Sequence, residues 1–208
     1  MAIARKPDKE KGFLGRAYAL EGLGKHEESI KDFSAAIGLN ATFYEAYVGR
    51  GYAYLDLKQL EAALADAHRA VTLKPGSASY SLRAAVYIAM QRYEDAVADY
   101  QSALTLTQDV SLYGAIGYVY YRSQNYALAI EQYSQLLSRE PNHADTRYNR
   151  SASYFMLRQF DKAILDAKQA IDLDSRNPRH YLLLASIYDK LGDKLKAQES
   201  RTQAAQCK

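Results

Sequence analysis

The chain has 208 residues, 48% of them hydrophobic, with 19 tyrosines, four prolines and no tryptophan, a composition that fits a mostly helical folded protein. Its formal charge of +3 is too small to imply a polyanionic partner, because nucleic-acid binders concentrate basic residues on one face. The single cysteine, Cys207, excludes an internal disulfide framework and any multi-cysteine metal site.

In chain order, the opening MAIARKPDKEKG is charged and lacks the apolar stretch of a signal peptide. No later run approaches the roughly 20 apolar residues of a membrane span. A short polar segment is expected over residues 1–9, with no membrane span; the location stays open, a cytoplasmic one being favoured over export of a chain whose leader has been removed. The run from Ala19 to Lys25, ALEGLGK, has a passing look of a phosphate-binding loop. His26 stands where that loop requires Ser or Thr, and a helix instead of a strand precedes it, so the run reads as a turn between two helices.

Residues 44–76 carry the clearest pattern. Tyr47, Arg50, Gly51 and Tyr54 recur at helical spacing, and after a polar break Ala63, Ala67 and Ala70 do the same before Pro75 ends the run. This predicts two amphipathic helices joined by a tight turn. Gly51, Ala63 and Ala70 admit close approach of the helices, while Tyr47, Tyr54 and Leu60 fill the space beside them. Such a pair has two apolar faces and one internal partner, so it needs neighbours on both sides.

The sequence supplies them. The small residue near the start of the second helix recurs as Ser29, Ala63, Ala96, Ala129, Ala163 and Ala197, at intervals of 34, 33, 33, 34 and 34. Six units follow, over residues 10–43, 44–76, 77–109, 110–143, 144–177 and 178–208, and predict one all-α domain over 10–208. The small contact on the first helix reads Ala17, Gly51, Ala84, Gly117, Ser151 and Ala185; the late second-helix position reads Ala36, Ala70, Ala103, Leu136, Ala170 and Ala204. At the first-helix aromatic position Phe13, Tyr47, Tyr80, Tyr113 and Tyr181 agree, and Arg147 departs.

On these positions the chain resembles the tetratricopeptide repeat family, whose signature places an aromatic, Leu-Gly, Tyr, Ala, an aromatic and Pro over 34 residues. The resemblance covers residues 10–208 and implies an all-α, right-handed superhelical solenoid of six antiparallel helix pairs. The closing proline is kept at Pro75 and Pro141 but replaced by Ala41, Gln108 and Ser175. There Asn40, Asp109, and Asn177 before Pro178 are expected to make the turn. Arg16, His26 and Ser29 mark the first unit as partly a cap. Lys194 and Arg201 leave the last helix polar on the side a seventh repeat would cover, so the solenoid is expected to end near residue 208, further repeats beyond it being the alternative.

Comparison of the units with one another predicts an ion pair. Arg16, Arg50, Arg83 and Arg150 share one first-helix position, and the same units carry Asp32, Asp66, Asp99 and Asp166 on the second helix. Where the arginine is replaced by Ile116 or Leu184, the acid is replaced by Gln132 or Ser200. Partly buried, such a pair would set register more than stability. Shared repeat ancestry is the alternative account.

No chemistry is legible. His26, His68, His143 and His180 fall at four different repeat positions and none lies four residues from another, so each reads as a surface or turn histidine and no metal ligand set is expected. No arrangement of nucleophile, base and oxyanion donors stands out. We expect no catalytic residue, no cofactor and no enzyme activity.

Function is then expected from a surface, and the resemblance implies which one: first helices of successive repeats line a concave groove. The second, fifth, ninth and twelfth residues of each unit share one helix face. The candidate partner-binding residues are Tyr18, Val48, Tyr52, Leu55, Ala85, Ile88, Tyr118, Tyr121, Tyr148, Ala152 and Phe155, with Asn149 beside them. The ends of the stripe are more polar, with Lys11, Glu21, Arg179 and Asp189. Tyrosine suits a contact face because it buries area with little entropy loss and its hydroxyl bonds a peptide backbone. Ala85 and Ala152 flank Tyr118 and leave room for anchoring side chains.

The stripe predicts a protein partner, either a peptide segment or an amphipathic helix. In this family one well-known clamp holds the acidic carboxyl-terminal tails of heat-shock chaperones. Asn149 and Arg179 match two of its positions, but Gly114 and Tyr118 stand where Lys and Asn are needed, so that use is not expected. The alternative is a homo-oligomeric scaffold whose groove is filled by its own chain or by a neighbouring copy. Single-stranded RNA is disfavoured, because the groove lacks the lysines and arginines that track a backbone.

Overall fold

The computed structural model describes residues 9–207. The polar segment expected over residues 1–9 therefore lies outside the described residues, apart from Lys9, which opens the first helix. Among the described residues there are twelve α-helices and no strand. They form six consecutive pairs: α1 (Lys9–Gly22) with α2 (His26–Leu39), α3 (Tyr44–Asp56) with α4 (Leu60–Leu73), α5 (Ser77–Ala89) with α6 (Tyr93–Thr107), α7 (Leu112–Arg122) with α8 (Tyr126–Arg139), α9 (Ala144–Met156) with α10 (Phe160–Leu173), and α11 (Pro178–Leu191) with α12 (Lys194–Gln206). Each pair starts within about two residues of the boundary read from the repeat spacing.

The chain divides into two compact units, one ending at Asp109 and one beginning at Val110, between the third and fourth repeats. In the first unit each helix packs along its pair partner, α2 and α4 also pack on the first helix of the next pair, and α3 touches both α1 and α5. The second unit repeats the scheme, with α8 on α9, α10 on α11, and α9 touching both α7 and α11. Within each unit the first helices thus lie side by side as one layer and the second helices flank them, the stacking of a helical solenoid.

Small residues permit this stacking. Ser29, Ala63, Ala96, Ala129, Ala163 and Ala197 are all fully buried, so a larger side chain at any of them would push its helix off its partner. The bulk that fills the space comes from single large residues set against glycines. A Cβ on Gly49 would lie 2.4 Å from the ring of the fully buried Phe33, and one on Gly117 would lie 2.6 Å from the ring of Tyr133.

Each pair reverses through one left-handed residue, in turn Gly24, Lys58, Gln91, Gln124, Arg158 and Gly192. The next N–H donates to the carbonyl five residues earlier, as from Gln59 to Tyr54 and from Arg92 to Tyr87, both at 2.8 Å. This is the helix-ending motif that satisfies late carbonyls through a left-handed residue. Between pairs, Asn40 Oδ1 accepts from the Thr42 N–H at 3.0 Å, and Asn177 Oδ1 accepts from the Arg179 N–H at 3.2 Å with Pro178 opening α11. At the third boundary the reversal falls to Gln108, left-handed at the end of α6, and not to the expected Asp109.

Candidate functional site

In α1, α3, α5 and α9 the outward stripe is held in place by an arginine of the same helix. Arg50 Nε and Nη2 donate to Asp66 at 2.7 and 2.8 Å, Arg83 to Asp99 at 2.8 and 2.7 Å, and Arg150 to Asp166 at 2.7 and 2.8 Å. Arg16 grips Asp32 in the same two-pronged way. All four aspartates are buried. The aspartate hydrogen bond raises the pKa of Arg50, Arg83 and Arg150 against the opposing effect of burial.

The third guanidinium nitrogen reaches back to the preceding repeat, a contact the sequence reading missed. Arg50 Nη1 donates to Ser34 Oγ at 2.9 Å, Arg150 Nη1 donates to Ser134 Oγ at 3.0 Å, and Arg83 Nη1 lies 3.1 Å from His68 Nδ1. Each of these arginines therefore ties together three helices and fixes the rotation of its own. Where no arginine is present, Ile116 and Leu184 are buried in its place.

In the first unit this leaves Tyr18 and Tyr52 at 47% and 38% exposure, with Val48, Leu55, Ala85 and Ile88 half-buried beside them. The Tyr18 ring stands edge-on to Phe33 at 5.3 Å, and its hydroxyl donates to the Glu45 carbonyl at 3.3 Å, so it bridges the first repeat to the second. Leu55 packs on the cluster built from Ala63, Ala67, Leu82 and Val86. Burial raises the pKa of the Tyr18 and Tyr52 hydroxyls, which keeps them neutral donors.

In the second unit Tyr118 is 43% exposed, and its hydroxyl accepts from Arg122 Nη1 at 2.8 Å. Tyr121, Tyr148, Asn149, Ala152 and Phe155 are half-buried. Tyr121 meets Tyr126 edge-on at 5.4 Å, Phe155 joins the cluster around Leu184 and Ile187, and Tyr148 carries the Arg179 guanidinium 4.8 Å from its ring centre. The twelve candidates thus sort into three exposed tyrosines at the ninth repeat position and nine partly buried residues around them. Leu182, at the fifth position of the last repeat and 49% exposed, extends the apolar character of the second unit's stripe beyond the residues named from the sequence.

Two departures from the repeat acquire physical explanations. Tyr47 and Tyr181 each donate a hydroxyl hydrogen bond to the carbonyl six residues earlier, at Ala41 and Ser175. Arg147 performs the same task, donating from Nη2 to the Pro141 carbonyl at 2.7 Å, and also lies 3.7 Å from Asp166. The expectation of a surface or turn position fails for His180, which is buried with Nδ1 3.2 Å from the Asp174 carbonyl. Its ring lies 5.6 Å from that of Tyr148, so it serves the packing of α11 on α9. Among the described residues, Glu21, His26 and Asp56 form a group with metal-ligating atoms close together.

Two family models, each described as tetratricopeptide repeat, match the chain, one at residues 14–78 and 115–178 and the other at 77–109 and 179–206. No curated protein matches the sequence. Among solved structures, PilW, a type IV pilus biogenesis factor, superposes with a TM-score of 0.82 at 16% identity over 93% of this chain and 91% of that one. A tetratricopeptide repeat protein from Parabacteroides merdae superposes at 0.78, with 19% identity, over 98% and 80%. A chain of the APC/C hetero-tetramer Cut9–Hcn1 superposes at 0.76, with 19% identity over 98% of this chain, which spans 40% of that one. At such identities the likeness concerns the fold alone, whereas the family models together run through all six helix pairs. The chain belongs to the tetratricopeptide repeat family.

Proposed function

We propose that the chain is an interaction scaffold that takes an apolar peptide segment or an amphipathic helix against its first-helix faces, with Tyr18 and Tyr52 as the contact side chains of the first unit and Tyr118 as that of the second. The family is one of protein-interaction scaffolds and is generally non-catalytic. The observation that carries the finer reading is the exposure of large aromatic side chains at one repeat position, next to half-buried apolar residues, with the rotation of α1 and α3 fixed by arginines that grip buried aspartates. A tyrosine held in this way loses little entropy when covered, and its neutral hydroxyl remains available to a peptide backbone.

The test is selection of binding peptides from a random library on the intact chain, followed by affinity measurement against a Tyr18→Ser, Tyr52→Ser, Tyr118→Ser variant shown to be folded by circular dichroism. Phe155 is left intact because its contacts are structural. Selected peptides should carry apolar residues at helical or alternating spacing and bind the variant at least about tenfold more weakly, a loss of about 1.4 kcal/mol. Equal binding to both proteins would sink the reading. A mass that grows with concentration by sedimentation, and falls in the variant, would instead assign the face to a second copy.

A further inference from the structure

The first repeat differs from the inner ones at three core positions together, and the differences converge. In the inner repeats the twelfth residue of the repeat and the opening residue of the second helix are an apolar pair on either side of the turn: Leu55 with Leu60, Ile88 with Tyr93, Tyr121 with Tyr126, and Phe155 with Phe160. The last two are ring pairs at 5.4 and 6.1 Å. In the first repeat the same pair is Glu21 with His26, and the alanine that follows elsewhere is Ser29.

Glu21 Oε2 lies 2.9 Å from His26 Nδ1, and Ser29 Oγ donates to the other carboxylate oxygen, Oε1. Asp56, the last residue of α3, brings its Oδ2 to 4.0 Å from the same imidazole nitrogen. Stacking requires none of this, since every inner repeat packs with hydrocarbon at these positions.

We propose that Glu21, His26 and Asp56 form a binding site for one zinc ion, or a similar first-row divalent cation, where the first repeat meets the second. One imidazole nitrogen and two carboxylate oxygens suit zinc, which takes three protein ligands and a water at about 2.0–2.2 Å in tetrahedral sites. Those bond lengths require ligand atoms about 3.3 Å apart, and the three atoms here already lie within 4.8 Å of one another.

Closing the set asks His26 and Glu21 to part by a few tenths of an ångström and Asp56 to move in, and the Asp56 side chain is 57% exposed and free to do so. Ser29 fixes the Glu21 carboxylate with Oε2 directed at the histidine, the orienting role that outer hydrogen bonds play at metal centres. Glu21 and Asp56 also lie in the last turns of α1 and α3, whose carbonyl ends favour a cation. The expectation of no metal ligand set weighed histidine pairs at helical spacing; these three ligands come from three helices, and their proximity is a product of the fold.

The experiment is isothermal titration of Zn2+ into untagged protein carrying Cys207→Ser, which removes the thiol as a competing ligand, with Co2+ absorption and thermal melting as independent readouts. One equivalent should bind with micromolar affinity, Co2+ should give a tetrahedral visible band, and Zn2+ should raise Tm. His26→Gln and Asp56→Asn should each weaken binding at least about tenfold, Ser29→Ala by up to about tenfold, and His143→Gln not at all. Asp56 is exposed, so its variant keeps the fold even if His26→Gln perturbs the turn. Absence of stoichiometric binding, or binding unchanged in Asp56→Asn, would overturn the site, and neither result bears on peptide binding by the tyrosines.

Discussion

At the scale of single residues, the arginine–aspartate pairs hold the chain's most specific chemistry. Each aspartate is buried and accepts two charge-assisted hydrogen bonds, so removing the arginine strands a carboxylate in a poor medium. About one-fifth of the Arg50 side chain reaches solvent, which tempers the effect. We expect Arg50→Met or Asp66→Asn to cost about 2 kcal/mol each, with a coupling of about 1–2 kcal/mol in a double-mutant cycle read by urea denaturation. The same cycle on Arg16 and Asp32 should give a smaller coupling, because 65% of the Arg16 side chain is exposed. His68 extends the scheme to pH. Its Nδ1 lies 3.1 Å from Arg83 Nη1, and because a guanidinium only donates, a hydrogen bond between them requires the neutral ring. Burial lowers its pKa, the positive charges of Arg83 and Arg92 lower it further, and Asp99 opposes them. A depressed pKa means that the stability linked to His68 is fully present above the unfolded value, about 6.5, and is lost as pH falls through the folded value. NMR titration should place the His68 midpoint below 6.5, and His68→Gln should flatten the loss of stability on acidification; a midpoint at or above that value would remove the account.

At the scale of the helix pair, the six intra-repeat turns share one conformation reached with different residues. Gly24 and Gly192 meet the left-handed requirement without strain, whereas Lys58, Gln91, Gln124 and Arg158 adopt φ near 60° with a Cβ. That conformation costs an L-residue roughly 1 kcal/mol. Lys58→Gly and Gln124→Gly should therefore each raise stability by about 0.5–1 kcal/mol, the steric relief exceeding the entropy lost by a more flexible unfolded chain. Denaturant melts of the single variants check this, and a loss of stability would show that the side chains make compensating contacts. Such turns explain what the sequence could and could not disclose. The helix pairs were legible because Ser29 and the alanines that follow it at every repeat serve as buried spacers, and a buried spacer leaves little choice of residue. The left-handed positions were legible only at the two glycines, since Lys58 or Arg158 in a polar break carries no mark of its backbone angle. The Arg50–Asp66 pairing was legible from co-occurrence across units; the reach of Arg50 to Ser34 was not, because it crosses a repeat boundary that composition does not register. The exposed and buried members of the tyrosine stripe were likewise indistinguishable, as Tyr118 and Tyr121 have the same chemistry and differ only in what Tyr126 covers.

At the scale of the whole molecule, the helix contacts within each unit, among the described residues, join helices of the same repeat or of adjacent repeats, so stability is a sum of local terms and need not be uniform. The terms can be ranked from burial. The helix α5 has α3, α4 and α6 as partners and buries Leu82, Val86 and Tyr87. By contrast, α1 buries only Ala17, and α12 packs chiefly on α11 through Ala197, Ser200 and Ala204. None of these buried side chains is large, so the apolar area that would have to be exposed to open either helix is small. Opening α5 requires Leu82, Val86 and Tyr87 to leave their pockets, and each such side chain is worth about 1.5–3 kcal/mol of burial. Native-state hydrogen exchange should therefore show amides in the middle turns of α1 and α12 exchanging at least about tenfold faster than those of α5, a difference of about 1.4 kcal/mol or more in opening free energy. Equal protection throughout would mean that the helices open together, and the additive picture of the solenoid would fail. Because Glu21 and Asp56 join α1 to α3, the same measurement repeated with Zn2+ should slow exchange in α1 and leave α12 unchanged, which separates a local clamp from general stabilisation by the ion.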